Sequence, residues 1–480
     1  MKGINSVSRT LRVGFEGIRN TVDESAMDWS FTPEMFNYRI EDGVLTGGIG
    51  LMAASGFHQT ADGVRRDYPA LPAGVEVAHI FHYRRRSQGN YDDRLVIGTS
   101  TGAIYYTAVF ASDTWHLVEG YTLQGDASAV CYNYDGKDVL LLCSEGSPLA
   151  VLDDGTVTTV TSAPRFTSVT VHNERVYGTV SGTSEQLWFS DNFDPENWTV
   201  SGDEAGYISF QDECGDALAA VSFLGYLYIF REHGIHRLTA YGDQSEFSLK
   251  KLFTATGRIY KHTIALCGDR IMFLTDEGIF SFDGYSATPA VKEFPDIEYP
   301  SHCRAAYHDG AYWLSCFTDI GELAIGVCTT DALVRCDLRD GSLAVLAGED
   351  ILTMCAVRSH TADDIVFAVD TDEGCRLASV AENGLVFGTP TPKIYRSPYG
   401  DLFSSALKTV LDVTLTTRFA AELRVITDGE AHSFALPASD APQTVFVGKS
   451  GVKIGIELRS FSGLAHITQP VVRLKLTAGR

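Results

Sequence analysis

One phrase recurs seven times along the 480-residue chain and constrains its fold more than any other feature. In each copy an apolar run of four or five residues leads into a polar turn, and a second apolar run follows directly. The clearest copy begins at Arg270 and turns at Asp276-Glu277-Gly278. The copies begin at residues 94, 139, 175, 226, 270, 311 and 364, a mean spacing of 45 residues. Strand–turn–strand units at this period predict an all-β fold, a seven-bladed β-propeller.

The composition is that of a globular protein, with 45% hydrophobic and 21% charged residues. No apolar run approaches the roughly 18 residues that span a bilayer. Residues 1–27 also lack the apolar stretch of a signal peptide. We therefore expect a soluble protein that is made and kept in a cytoplasm and does not contact a membrane.

The ten cysteines include no CxxC pair, and several of them lie inside apolar strand runs. This pattern predicts buried, reduced thiols that act as small hydrophobic side chains. A disulfide framework or a zinc site is the alternative, and no spacing of the cysteines favours it.

The net charge of −23 is unevenly distributed along the chain. Residues 409–480 hold eight Lys/Arg and six Asp/Glu, a balance of +2, which leaves −25 for residues 1–408. A surface this acidic repels phosphate and argues against DNA as a specifically bound ligand. DNA that passes close to the protein is not excluded by this argument.

The pattern of apolar residues changes twice along the chain. Residues 1–32 show no strong period and are predicted to form an N-terminal arm, while the repeats place the propeller at 33–395. After residue 396 the alternation sharpens, as in Val452, Ile454 and Ile456. Strands with one buried and one solvent-exposed face are typical of β-sandwiches, so we predict a C-terminal β-sandwich-like domain at 396–480.

The ring of a propeller has to be closed, and its ends have to be joined. We expect the strand at Tyr38–Ile40 to pair beside the last repeat near Leu385, which would hide an exposed sheet edge. The glycines at 47, 48 and 50 predict a tight passage of the backbone.

Two segments superficially resemble metal sites. Glu232-His233-Gly-Ile-His236 contains an HxxH spacing, but it falls in a predicted hairpin turn, and a solvated turn is the favoured interpretation. The segment Asp191 to Glu196 has the oxygen-rich spacing of a calcium loop without its glycine at position six or its glutamate at position twelve. We therefore predict no metal site and no cofactor.

No catalytic constellation stands out either. The chain has no GxSxG motif, and Ser190 has no identifiable base. Acidic turns such as Asp153–Asp154, Asp276–Glu277 and Asp372–Glu373 could supply the paired carboxylates of a glycosidase around a central channel, although solvated turns explain them equally well. We predict that the protein has no catalytic residues and is not an enzyme.

The densest basic cluster is Arg84, Arg85 and Arg86. Three arginines in so acidic a chain could form an assembly contact with an acidic partner, such as a neighbouring copy of the same protein. A group of charges at a hairpin end is the alternative.

Two passages resemble the tail proteins of tailed bacteriophages. Residues 35–50 resemble an N-terminal phrase in which a short strand precedes a Gly-rich turn, although the turn of those proteins often reads Arg-Pro-Gly where this chain has Gly-Gly-Ile-Gly. Residues 187–199 resemble the phrase "Tyr-Ser-Asp, then Asp-Pro-x-x-Trp", here carried by Asp191, Asp194, Pro195 and Trp198. We expect these four residues to be structural, because proline fixes φ, aspartate caps a turn and tryptophan anchors a blade.

The resemblance is to tail hub, nozzle and packaged-DNA-stabilisation proteins, and it implies a non-enzymatic virion protein. Such proteins commonly form a six-membered ring below the portal and adaptor, close the DNA exit channel and carry tail fibres or a needle. The implied partners are other copies of the chain, the portal and adaptor, the fibres or needle, and DNA that passes without specific binding. The implied location is the virion tail, assembled in the host cytoplasm, and the negative charge would then line the DNA conduit.

A host-surface propeller that binds or cleaves carbohydrate is the main alternative, and it should gather aromatic residues and carboxylates at one mouth of the ring. The five tryptophans do not recur at a fixed repeat position, which favours the structural role. An intracellular scaffold propeller is a third alternative, although the WD dipeptide signature is absent.

Overall fold

The computed structural model describes residues 6–19, 23–58, 65–87, 89–110, 114–182, 185–201, 204–242, 244–255, 257–291, 297–319 and 329–477. Within these ranges the chain is built from β-strands. The helical segments of the described ranges are short 3₁₀-helices at Glu24–Ala26, Gln244–Glu246, Lys261–Thr263 and Pro300–His302. None of the described helices is long and apolar enough to cross a membrane.

Among the described residues, seven sheets follow one another along the chain, and their strands are antiparallel except for one parallel bridge in the last sheet. Sheet 1 contains Val77–Tyr83, Arg94–Thr99, Ile104–Ala108 and His116–Leu117. Sheet 2 contains Ala127–Tyr134, Lys137–Ser144, Ser147–Asp153 and Thr156–Val160. Sheet 3 contains Phe166–His172, Arg175–Val180, Gln186–Phe189 and Gly206–Ser209. Sheet 4 contains Ala217–Phe223, Tyr226–Arg231, Gly234–Thr239 and Ser248–Thr254.

The remaining three sheets have the same four-strand plan. Sheet 5 contains Ala265–Cys267, Arg270–Thr275, Gly278–Phe282 and Ala287–Pro289. Sheet 6 contains Arg304–His308, Ala311–Asp319, Thr329–Asp337 and Leu343–Ala347, with Ile297–Glu298 added. Sheet 7 contains Asp350–Arg358, Asp363–Asp370, Arg376–Ala381 and Gly50–Ala53, with Leu385–Val386 and Thr389–Pro390 added.

Hydrophobic clusters join each sheet to the next, because side chains alternate between the two faces of a strand. In sheet 2, Leu140 and Leu142 pack in the cluster shared with sheet 1, whereas Leu141 packs in the cluster shared with sheet 3. The last sheet packs on the first through a cluster that contains Val366 and Leu95. The sheets therefore form a closed ring, and the chain has a β-propeller fold.

The recurring phrase corresponds to the second and third strands of a sheet. The continuous apolar run Tyr226–Arg231 is the second strand of sheet 4. First strands of neighbouring sheets contact each other and therefore lie at the axis of the ring, as Phe166–His172 and Ala217–Phe223 do. A second strand is continuously apolar because it has a strand on each side and a sheet on each face.

The ring is closed by Gly50–Ala53, which pairs with Arg376–Ala381 as the fourth strand of sheet 7. The prediction that Tyr38–Ile40 closes it is wrong, because Tyr38–Glu41 pairs with Val44–Gly47 in a local hairpin. Asp42 and Gly43 form the turn of this hairpin with positive φ. The position expected for the closing edge, near Leu385, lies close to the observed one, because Val386 pairs in parallel with Leu51 of the closing strand.

Two further sheets pack on one hydrophobic core and form what we call the two-sheet unit. The larger sheet contains Ser6–Arg12, Val471–Thr477, Leu407–Thr417, His466–Thr468, Val44–Gly47, Tyr38–Glu41 and Ser439–Gly451. The smaller sheet contains Glu34–Phe36, Lys393–Arg396, Ile454–Ser460, Ala421–Thr427 and Glu430–Leu436. Two short hairpins complete the described strands, Arg86–Ser87 with Asn90–Tyr91 and Ser55–His58 with Arg65–Asp67.

The two-sheet unit is built from both ends of the chain, which differs from the boundaries expected at residues 32 and 396. Residues 6–12, assigned to an arm, pair along their whole length with Val471–Thr477. Residues 34–47, assigned to the propeller, pair within this unit. Strand pairing between residues more than 350 positions apart leaves no local signal in the sequence, which is why the expected boundaries differ.

Candidate functional site

The three arginines lie in a hairpin between the first and second strands of sheet 1, which we call the Arg hairpin (residues 84–93). The equivalent turns in sheets 2, 4 and 6 are short, with positive φ at Asp135–Gly136, Leu224–Gly225 and Asp309–Gly310. The Arg hairpin is longer and contains its own small ladder, Arg86–Ser87 with Asn90–Tyr91. It therefore extends beyond the other turns at this end of the ring.

Arg85 is engaged inside the protein. Its guanidinium contacts Asp92 and lies 2.9 Å from Asp154 of sheet 2 and 3.9 Å from Asp153. Arg94 joins the same carboxylates, 2.9 Å from Asp92. These ion pairs fix the Arg hairpin to sheet 2, so Arg85 is occupied and is not available to a partner.

Arg84 and Arg86 are exposed, and neither forms an ion pair with a described residue. The guanidinium of Arg86 lies 5.3 Å from the ring centroid of Tyr91. Tyr91 in turn stacks on His360 of sheet 7, with centroids 4.7 Å apart and planes 21° apart. The ring centroid of Phe110 also lies 5.7 Å from that of His360. Arg86, Tyr91, His360 and Phe110 form what we call the aromatic column, which bridges sheets 1 and 7.

An open cleft of about 560 Å³ lies beside the aromatic column. Arg84, Arg86 and Arg358 line it, together with Asp93 and Asp138. The closure of the ring brings Arg358 and His360 here from the turn of sheet 7. Sequence reasoning missed these two residues, although the order of blades in a closed ring places the last turn beside the first.

The two carboxylates of the cleft already accept hydrogen bonds from the protein. Asp93 accepts the backbone N–H of Arg85 at 2.9 Å. Asp138 accepts Nδ2 of Asn133 at 2.9 Å and the backbone N–H of Arg86 at 3.0 Å. Burial acts to raise the pKa of Asp93, but its contacts with His82 and the Arg85 amide hold the pKa below the usual value. The free hydrogen-bonding capacity of the cleft is therefore that of its arginines, which donate to anions.

The segment with Asp191, Asp194, Pro195 and Trp198 forms a turn between the third and fourth strands of sheet 3. Asp194 accepts the N–H of Glu196 at 2.9 Å, and Asp191 accepts the N–H of Asn192 at 2.7 Å. Trp198 is buried and donates from Nε1 to the carbonyl of Pro195 at 2.8 Å. Its ring lies 4.6 Å from that of Phe166 in the cluster between sheets 2 and 3. The motif ties an irregular turn into the ring.

A cluster of charges crosses the axis of the propeller at the opposite end from the Arg hairpin. Lys261 precedes sheet 5, yet its Nζ lies 2.5 Å from Asp126, which precedes sheet 2, and 2.7 Å from the carbonyl of Thr167 in sheet 3. His262 also contacts Asp126, at 2.9 Å. Burial acts to raise the pKa of Asp126, but His262 and Lys261 hold it well below its usual range. Because these sheets lie on opposite sides of the ring, the ion pairs span its centre.

Among the described residues, Asp212, Cys214 and His236 are the group whose atoms lie close enough to hold a metal ion. His236 was expected in a solvated turn, but it is buried in Gly234–Thr239 and bonds Asp212 at 2.8 Å. The fully buried guanidinium of Arg231 also contacts Asp212. Partial burial acts to raise the pKa of Asp212. The hydrogen bond from the Cys214 amide and the contacts with His236 and Arg231 outweigh burial and lower the pKa to about 2. The carboxylate thus already has a buried cationic partner, and ion pairing accounts for the group.

The nine described cysteines are free thiols. Burial raises the pKa of Cys143 to about 12, so this thiol stays protonated. Cys328 lies outside the described residues. This arrangement agrees with the expectation of reduced thiols for the cysteines that the structure describes.

The acidic turns considered for hydrolysis lie in different sheets. Asp153 and Asp154 of sheet 2 face Arg85, and Asp276 of sheet 5 accepts the N–H of Arg258 at 2.7 Å. Asp372 and Glu373 are exposed in sheet 7. The tryptophans are equally dispersed, with Trp29 in the two-sheet unit and the others in sheet 3, sheet 6 and a loop of sheet 1.

No family model and no curated protein matches the chain. A solved BBS1N chain in complex with ARL6DN is 10% identical, with 68% of this chain and 97% of that chain covered and a TM-score of 0.42. The Neurospora crassa Pan2 WD40 domain is 12% identical, with 71% and 97% covered and a TM-score of 0.42. The computationally designed Ika8 protein is 10% identical, with 76% and 98% covered and a TM-score of 0.39.

Proposed function

We propose that this chain is a structural virion protein of a tailed phage, a seven-bladed β-propeller whose C-terminal β-sandwich-like domain also takes in the N-terminal strands of the two-sheet unit. Copies of it, six in number, form a ring in the tail hub or nozzle, assembled in the host cytoplasm. The ring extends and closes the DNA exit channel below the portal and adaptor. It also helps to attach the tail fibres or needle, and the protein has no enzymatic role.

The observation that carries this proposal is the structural role of residues 187–199, the segment that resembles phage tail proteins. Trp198 is buried between two sheets, and the side chains of Asp191 and Asp194 hold backbone N–H groups of their own turn. These side chains hold an irregular turn in place and do not offer a group for catalysis, which fits a rigid component of an assembly.

The cluster at the propeller axis bears on the proposed path of DNA. Lys261 and Asp126 cross the centre of a single propeller, so we assign the DNA conduit to the opening shared by several copies. The acidic balance of residues 1–408 would line that opening and would not trap the polyanion. Lysines on the wall of the shared opening, with the carboxylates on the outer rim, would contradict this assignment.

The neighbours in the tail would bind to the parts of the chain that depart from the repeat. These parts are the two-sheet unit, which carries both described ends of the chain, and the Arg hairpin, where Arg84 and Arg86 are exposed. Arg85 is withdrawn from the assembly contact, because its ion pairs hold the hairpin itself.

Native mass spectrometry of the purified full-length protein tests the ring, with electron microscopy of the same sample. We expect closed oligomers of six copies, alone or after addition of portal and adaptor proteins. A protein that stays monomeric over the whole accessible concentration range, and does not join these partners, contradicts the proposal.

One observation favours the carbohydrate alternative. A pocket of about 410 Å³ between sheets 6 and 7 is lined by Tyr299, Phe317, Asp331 and Asp350. Burial raises the pKa of both Asp331 and Asp350, as a general acid requires. Glycan cleavage by the wild-type protein that is lost in the D331N and D350N variants would replace the structural role with this one.

A further inference from the structure

The cleft beside the aromatic column is a positive site on an acidic molecule. Arg84, Arg86 and Arg358 line it with Asp93 and Asp138, while the charge of the fourth lining arginine, Arg85, is neutralised by its ion pairs. The whole chain carries −23. At physiological ionic strength a charge is screened within about 8 Å, so a ligand in the cleft feels mainly the local arginines. The cleft therefore attracts a compact anion although the molecule as a whole repels one.

Three guanidinium groups converge on the cleft from two sheets that are distant in sequence. Arg84 and Arg86 form no ion pair with a described residue, and Arg358 has only a 3.8 Å approach to the exposed Asp363. Each guanidinium presents donors in a fixed fork that matches the two oxygens of a carboxylate. The ligand that satisfies them carries several carboxylate or phosphate groups.

Aromatic rings contact two of these three arginines before any ligand binds. Arg86 packs on Tyr91, and Tyr91 stacks on His360, which is two residues from Arg358. Arg358 itself lies 5.4 Å from the ring centroid of Tyr307. Side chains that are already ordered lose less entropy on binding, so the cleft is preorganised for an anion.

We infer that the cleft formed by Arg84, Arg86 and Arg358 binds a carboxylate-rich segment of a protein partner. A nucleic-acid strand carries phosphates far beyond the cleft and onto the acidic surface, where they are repelled, whereas a short acidic segment ends within it. This inference extends the proposed assembly role, and the identity of the partner rests on that role. Ligand binding is measured on the purified chain alone, so its failure is distinguishable from failure of the virion role.

Fluorescence anisotropy with a labelled hexaglutamate peptide tests the site on the full-length protein. We expect the R84Q/R86Q variant to bind at least about tenfold more weakly, because it loses two charge-assisted contacts. R270Q is the matched control, since Arg270 lies beside the equivalent turn of sheet 5 and is paired with its neighbour Asp269. It should bind within about twofold of the wild type, and R358Q should show an intermediate loss.

Thermal melting of each variant checks that it is folded, and exposed arginines at a turn should leave the melting temperature unchanged. The inference is overturned if the wild-type protein does not bind hexaglutamate, or if R270Q weakens binding as much as R84Q/R86Q. It is equally overturned if an oligothymidylate competitor binds the cleft more tightly than hexaglutamate, which would assign the site to nucleic acid.

Discussion

Asn37 and Gly48 join the two-sheet unit to the propeller. Asn37 has a positive φ of 59°, and its backbone N–H bonds the carbonyl of Val345 in sheet 6 at 2.7 Å. Its side chain bonds the amide of Ala347 and the carbonyl of Pro392. Gly48 packs directly on Asn37, so that a Cβ at position 48 would lie 2.4 Å from the Asn37 carbonyl oxygen. The tight passage that the glycines predicted is this joint.

We expect Gly48→Ala to lower the free energy of unfolding by about 1–3 kcal/mol, because the added methyl group must displace main chain. Differential scanning calorimetry measures the change. Gly455→Ala is the control, since the nearest atom to its added Cβ is a ring carbon of Tyr399 at 3.3 Å, which can move. Equal effects of the two substitutions would show that the Asn37–Gly48 contact is not a constraint.

Trp198 is the residue of the phage-like motif with the largest predicted effect. Trp198→Ala removes a fully buried ring and should cost about 3–5 kcal/mol of stability. Trp198→Phe keeps most of the packing and loses the hydrogen bond to Pro195, so it should cost about 1–2 kcal/mol. Trp188, which is half-buried and stacks on Tyr207 at 5.0 Å, is the control. A Trp188→Ala loss as large as that of Trp198→Ala, in urea unfolding curves, would refute the anchoring role.

At the scale of elements, the strand Gly50–Ala53 carries the closure of the ring. Leu51 is buried in the cluster between sheets 6 and 7, while Met52 points to the other face of the strand and is half-buried. Leu51→Ala should cost about 2–5 kcal/mol, and Met52→Ala clearly less. Hydrogen exchange should show faster opening of Arg376–Ala381 in the Leu51 variant. Unchanged protection there would mean that another contact closes the ring.

The elements also show what the sequence could reveal and what it could not. Second and third strands such as Arg270–Thr275 and Gly278–Phe282 were predictable, because strands covered on both faces are continuously apolar. Outer strands were not, since His116–Leu117 has two exposed residues and no pattern. The cleft was half predictable: the run of arginines is visible in the sequence, but Arg358 and His360 reach it only through closure of the ring.

At the scale of the whole molecule, stability should depend on pH through histidines near the axis. Burial lowers the pKa of His79 to about 4 and also lowers that of His262, with Asp126, Lys261 and Arg304 as the charges around them. The folded protein therefore holds neutral imidazoles, whereas an unfolded histidine takes up a proton below about pH 6.5. The stability that comes from these neutral histidines is fully present above about pH 6.5 and is lost as the pH drops toward 4.

The free energy of unfolding should fall by about 1–3 kcal/mol between pH 6.5 and pH 4, because solvent screens part of the effect of burial on the histidines. Melting temperatures measured between pH 7.5 and 4.5 test it. His79→Gln should flatten the profile, whereas substitution of the exposed His116 should leave it unchanged. A profile for His79→Gln that is as steep as the wild type would assign the pH dependence to other groups.

The ion pairs across the axis connect opposite sides of the ring, and a double-mutant cycle measures that connection. Asp126→Asn leaves Lys261 and Arg304 without their central anion, so it should destabilise the protein more than Lys261→Met. The coupling energy of the two substitutions should be about 0.5–3 kcal/mol. The exposed pair Arg418–Asp440, at 3.4 Å, is the reference cycle and should give about 0–1 kcal/mol. In the part of the chain that the structure describes, the extensive contacts around the ring lie within a sheet or between neighbouring sheets. Additive effects at Asp126 and Lys261 would therefore mean that neighbouring contacts hold the propeller and that its axis is free to open.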